Sequence, residues 1–127
     1  MPDDNKPKRI KPIAVEVMPK RICVRFNGET IADSLAALIM LEPGHGPIYY
    51  LPRDDLKMDL FARTEHHSHC PHKGDASYWT VTVGDKQAEN AAWSYETPIP
   101  NVETAKDYIA FYLDRVDSVT IDGKEIS

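Results

Sequence analysis

His66, His67, His69 and His72 stand within seven residues, with Cys70 among them, and make up four of the chain's five histidines. Imidazole and thiolate are ligands for zinc and related transition metals. His67 and His69 are two apart, so on a strand their rings share a face. His72 comes round a turn at Pro71. These three are the metal candidates, for zinc or nickel held weakly. No pair of Cys-x-x-Cys elements exists, and His45 is the one distant histidine. A closed four-ligand structural zinc site is therefore not expected. A solvated, histidine-rich polar loop accounts for the run more economically.

Cys70 has a second reading. A thiol flanked by His69, His72 and Lys73 has neighbours that favour thiolate, the form that attacks carbonyls or disulfides. It is the candidate catalytic residue, as nucleophile or redox thiol. Against this, sequence adjacency is not spatial pairing, and cysteine is often a small buried hydrophobe. Lys73-Gly74 places an ammonium beside a residue that lets backbone amides converge on an anion. The spacing is not that of a P-loop, and a turn glycine explains it more simply. Tyr78, Trp93 and Tyr95 then supply rings on neighbouring strands. Such rings are usually core. A few that open beside Cys70, Lys73 and Gly74 would wall a small-molecule pocket.

The elements that must position these residues read as strands. Residues 1–19 contain four prolines and form an extended arm, because proline lacks an amide donor and restricts the residue before it. Ile13, Val15 and Val17 alternate and are able to pair as an edge strand. Arg21 to Asp33 is a hairpin about Asn27-Gly28, a dipeptide that supplies two positive φ angles. Leu35 to Leu41 fits helix or buried strand, with strand favoured. Ile48 to Leu51 is a short strand ended by Pro52, and Arg53 to Leu60 a turn followed by another short strand. Ser77 to Val83 alternates clearly and turns at Gly84-Asp85 into Lys86 to Tyr95. Val102 to Tyr108 holds a helical turn. Ile109 to Leu113 is apolar, and Val119 to Ile121 leads into Asp122-Gly123. Short strands at roughly ten-residue spacing predict a mainly β domain. The expected form is a compact antiparallel two-sheet sandwich or barrel-like domain, with one or two short helices. Residues 20–127 make that single domain after the arm.

A chain of 127 residues with net charge −5 is long enough for one core without disulfides. Its acidity argues against general nucleic-acid binding. No apolar run reaches membrane-spanning length, and no apolar segment follows the N-terminal charges, so a cytoplasmic location is the default. Cys23 and Cys70 are expected to stay unpaired in a reducing compartment.

Several stretches resemble the bacterial and fungal domain of unknown function 427 family. They are Cys70-Pro71-His72-Lys73-Gly74-Asp75-Ala76-Ser77-Tyr78-Trp79, Asn90 to Pro98, Ala110-Phe111-Tyr112, Arg25 to Asp33 and Tyr49 to Pro52. The resemblance implies a small, mostly β, single-domain protein. Its signature positions here are Cys70, Lys73, Gly74, Tyr78, Trp93 and Tyr95, with no roles attached. The nucleotidyltransferase label sometimes given to the family finds no Gly-Ser followed by Asp-x-Asp in this chain. His66, His67 and His69 fall outside the signature.

The expected function is recognition of a small polar or anionic molecule in an aromatic-walled pocket. Cys70, Lys73, Gly74, Tyr78, Trp93 and Tyr95 would contact it. The alternatives are an enzyme using Cys70, a weak metal-binding module, and a structural or homodimer-forming module.

Overall fold

A computed structural model describes residues 12–126. About 60% of the described residues are strand and 10% helix, which settles the class as mainly β. Eleven strands are present among the described residues: β1 (Ala14–Met18), β2 (Ile22–Phe26), β3 (Glu29–Ser34), β4 (Ala37–Leu41), β5 (Ile48–Tyr50), β6 (Phe61–Cys70), β7 (Gly74–Val83), β8 (Lys86–Pro98), β9 (Ala110–Phe111), β10 (Ser118–Ile121) and β11 (Lys124–Ile126). Three short 3-10 turns cover Arg53–Asp55, Met58–Leu60 and Pro100–Ala105.

The strands form three antiparallel sheets, not the expected two. Their orders are β1-β4-β5, β11-β10-β2-β3 and β6-β7-β8-β9. The expected hairpin turns are present. Asn27 and Gly28 have φ of 48° and 79°, and Asp122 and Gly123 have 50° and 81°, the doubly positive pattern of a two-residue hairpin loop.

Alternation places a separate core on each face of the β6–β9 sheet. Trp79, Val81 and Val83 point into one cluster with Ile22, Val24, Phe26 and Ile31 of the β2–β3 hairpin. Ala76 and Tyr78 point the other way, into a cluster with Leu38, Met40, Tyr50 and Tyr95. A sheet buried on both faces needs a covering layer on each. This is why the chain builds three sheets.

Two local expectations are revised, and the strand favoured for Leu35 to Leu41 is found in shortened form. Arg53 to Leu60 forms two successive 3-10 turns, not a turn and a strand. Leu35 stays exposed, and the apolar run beyond it is strand β4, paired with both β1 and β5. His66, His67 and His69 lie on ten-residue strand β6 rather than in a loop, and His72 lies in the turn after it. In the N-terminal arm, residues 1–11 lie outside the described residues. The part carrying Val15 and Val17 does pair, as β1 against β4.

Candidate functional site

The turn between β6 and β7 is built around Gly74. Lys73 N–H donates to the Cys70 carbonyl at 3.1 Å, closing the turn, and Ile99 N–H donates to the Lys73 carbonyl at 3.0 Å. Gly74 has φ of 114°. A Cβ there would stand 3.0 Å from the Thr97 carbonyl oxygen and 3.2 Å from Pro98 Cα. Only glycine fits, because β8 passes directly against it.

This turn drives Lys73 inward. Its Nζ lies 2.9 Å from Glu42 Oε1, with side-chain exposures of 11% and 8%. The other Glu42 oxygen lies 3.3 Å from His45 Nε2. Lys73 is thus a buried cation already matched by a carboxylate, rather than a free charge at a pocket rim. A buried ammonium needs such a partner, since desolvating an unpaired charge costs several kcal/mol.

The rings of this face form one connected set. Tyr78 stands opposite Trp93 in register, and Ala76 opposite Tyr95. Trp93 Nε1–H donates to Tyr50 Oη at 3.3 Å. Tyr50 packs against Trp93 and Tyr95, with centroids 6.4 and 6.5 Å away. Tyr112 tilts onto Trp93 at 4.6 Å and stacks on Tyr78 at 6.5 Å. Burial raises the Tyr50 hydroxyl well above the ordinary tyrosine range; nearby Cys70 and Glu42 add to the rise. Burial also raises Tyr95, with Tyr50 and Cys70 contributing. Tyr112 is pushed up to about 12 by burial and by its hydrogen bond with Tyr78, while Arg115 opposes the shift. Cys70 therefore shares the electrostatic neighbourhood of Tyr50 and Tyr95.

Alternation along β6 divides the histidine run. Ser68 bonds the Tyr78 hydroxyl at 2.8 Å, and the His66 ring meets Tyr78 edge-on at 4.5 Å. Cys70, two residues beyond Ser68, shares that face. His67 and His69 take the other face, opposite Ser77 and Asp75. His69 Nδ1 lies 2.6 Å from Asp75 Oδ1. His72 sits in the turn. Among the described residues, no three or more His, Cys, Asp or Glu side chains gather as a metal-binding group.

An apolar pocket of about 220 Å³, partly open to solvent, lies beside these rings. Ile22, Val24 and Val119 line it together with Trp93, Phe111 and Tyr112, and Tyr49 and Leu113 also contribute. Of the residues expected to contact a ligand, Trp93 lines this space. Tyr78 buttresses it through Tyr112, and Tyr95 through Tyr50. Cys70, Lys73 and Gly74 are not on its wall. The missed walls come from β2, β9 and β10, whose apolar residues carry no local sign that the space between them stays open.

The opposite face holds a polar constellation that sequence reasoning also missed. Arg53 Nη2 lies 3.1 Å from Glu96 Oε2, and Arg63 Nη2 lies 2.7 Å from Glu96 Oε1. Arg63 donates to Ser77 Oγ at 2.9 Å, and Arg53 to Ser94 Oγ at 3.3 Å. Both guanidinium groups stand over Trp79, 4.9 and 5.9 Å from its ring centroid. Two register shifts position the set. One falls on β6 just after Arg63. The other falls on β8 at Glu96, since Asp75 pairs with Thr97 but Ala76 with Tyr95. Such bulges re-aim a side chain that a regular strand would misplace. Burial pushes the Glu96 carboxyl upward, but hydrogen bonds from Ser77 and Arg53 and the charges of Arg63 and Arg53 outweigh it, so its pKa lies below the ordinary glutamate value.

Fold and site together define a small antiparallel β domain with a signature turn, an aromatic face and a half-open apolar pocket. The family model described as domain of unknown function DUF427 matches residues 14–122. The chain belongs to that family. A search of curated proteins returns no match. No helix among the described residues is long and apolar enough to cross a membrane.

Proposed function

We propose that the chain is a binding module for a small, mainly apolar molecule, taken into the cavity that Trp93 and Tyr112 wall. The cavity itself carries this reading: open apolar space beside four aromatic rings is uncommon in interiors packed to crystal density. An apolar cavity of about 150 Å³ accepts benzene. The space here accommodates a ring with a short substituent. Lys73 is held by Glu42, so anion recognition at the signature turn would require displacing a buried carboxylate. The cavity shifts the expected ligand from polar or anionic towards apolar. Cys70, Lys73, Gly74, Tyr78 and Tyr95 then shape the site from behind, and Trp93 touches the ligand.

The test is a panel of small planar molecules, indole and substituted benzenes included, followed by Trp fluorescence and thermal shift. Binding should alter Trp93 emission and raise the melting temperature. Leu113 lies 38% exposed at the cavity side. Leu113→Trp should block entry while leaving the melting temperature of the free protein nearly unchanged. A panel without any saturable response, or responses that persist in Leu113→Trp, would remove this reading.

A further inference from the structure

The geometry points to a second site, unrelated to the cavity: the Arg53–Arg63 pair over Trp79 is a cradle for a small doubly charged oxyanion of the phosphate class, in which Glu96 is the resident placeholder. The cavity wall includes none of these residues.

The donors fit an oxyanion. Two guanidinium groups arrive from separate elements, the turn at Arg53–Asp55 and strand β6, and converge on the two oxygens of one carboxylate. Two serine hydroxyls from adjacent strands, both nearly inaccessible to solvent, stand against the same guanidinium nitrogens. Arginine presents its donors in a rigid fork suited to carboxylate and phosphate oxygens. That fork is fixed beforehand here. Arg53 Nε–H donates to the Asp107 carbonyl at 2.7 Å, and the Trp79 ring lies beneath both cations. The Asp107 carboxylate is the other anion nearby, 3.9 Å from Arg53 Nη2 and 53% exposed, so solvent screens it.

Glu96 itself stands on an irregularity. It is the residue left over where β8 shifts register against β7. A side chain on a bulge can leave without breaking ladder pairs on either side. Arg63, 54% exposed, opens the route to solvent. The resident carboxylate also sets selectivity. A group tethered to the protein competes at an effective concentration in the millimolar range or above. A free monocarboxylate offers the same contacts without that advantage and is excluded. A dianion offers more charge and a third oxygen to the same two arginines, and is able to displace Glu96.

Inorganic phosphate is the probe, read by melting temperature against chloride at equal ionic strength, with acetate as the monoanion control. The wild type should respond to phosphate at millimolar concentration and not to acetate. Glu96→Gln keeps the shape but removes the competing charge, and should shift the phosphate midpoint at least tenfold lower. Arg63→Gln, alone or added to Glu96→Gln, should abolish the response. A Glu96→Gln midpoint equal to that of the wild type overturns the proposal, as does a response that survives Arg63→Gln. If Glu96→Gln fails to fold, wild type against Arg63→Gln decides alone: equal phosphate responses overturn the cradle.

Discussion

On one face of the β6–β9 sheet, Tyr78, Trp93 and Tyr95 belong to a network of rings held together by hydroxyl and indole hydrogen bonds, with the Lys73–Glu42 pair beside it. On the other, Ser77, Trp79 and Ser94 underlie a group of charges, Arg53, Arg63 and Glu96. Strands β7 and β8 supply residues to both, one residue out of phase. On the ring face the Lys73–Glu42 pair is buried. On the arginine face two cations share one carboxylate and remain partly open to water. Burial decides the outcome: a cation at 11% exposure cannot lack its partner, whereas one at 54% exposure can exchange it. The ring face is therefore fixed structure around a cavity, and the arginine face is the more exchangeable surface.

The largest expected effect comes from cutting the floor of the arginine face. Trp79 is 5% exposed and supports both guanidinium groups. Trp79→Ala should cost about 3–5 kcal/mol in urea unfolding. Trp93→Ala, on a half-buried ring that borders an existing cavity, should cost about half as much. Equal losses would show that the two faces are packed alike.

Next is the buried pair. Lys73→Met leaves the Glu42 carboxylate without its cation and should destabilise by about 3 kcal/mol, the scale of breaking a buried ion pair from one side. Adding Glu42→Leu should recover most of that loss. Sequence alone suggests a rim lysine whose removal would matter for ligands and not for stability; an unfolding midpoint unmoved by Lys73→Met would restore that view.

The fold was legible where local chemistry dictates it. Asn27-Gly28, Gly84-Asp85 and Asp122-Gly123 mark their hairpins because few other dipeptides tolerate those φ angles. The pairing of the Tyr78 and Trp93 strands follows from one short turn. The number of sheets was not legible, because β4 reads as apolar whether it lies beside its neighbour or crosses to cover another face. The candidate site was half legible. Gly74 announces a turn, but nothing local shows that Lys73 turns inward to meet Glu42, thirty-one positions earlier. Arg53, Arg63 and Glu96 come from three elements and are assembled by two bulges. A bulge changes which face a residue occupies, and this sequence marks neither one.

The third effect is set by acid. Glu96 has a folded-state pKa below its ordinary value. Its contribution to stability is therefore complete above about pH 4.3, the unperturbed glutamate value, and is lost as pH falls through the lower folded value. Glu96→Gln removes the titrating group. The variant should be less stable than the wild type at pH 6 by about 1 kcal/mol, the worth of a charged hydrogen bond in partial exposure. The difference should shrink towards pH 3. Urea midpoints across that range check the sign: a gap that widens in acid would mean that Glu96 is protonated in the folded protein near neutrality.

The smallest effect is expected from the residues that first draw the eye. His66, His67 and His69 are exposed on β6, and alternation sends His66 to the ring face and His67 and His69 to the arginine face. His67→Ala and His69→Ala should each change stability by no more than about 0.5 kcal/mol, as exposed substitutions do. Two imidazoles two residues apart on a strand still offer an open pair of nitrogen ligands to an added metal. Zinc or nickel supplied to protein made without an affinity tag should bind at micromolar strength or weaker. Binding should be lost in the double His67→Ala, His69→Ala variant and retained in His66→Ala, since His66 lies across the sheet against Tyr78. Equal loss from His66→Ala would mean that the run acts as a flexible cluster, and that the strand's alternation does not divide it. One zinc per chain that survives dialysis against chelator would instead require a third and fourth ligand, which the described residues do not bring to this strand.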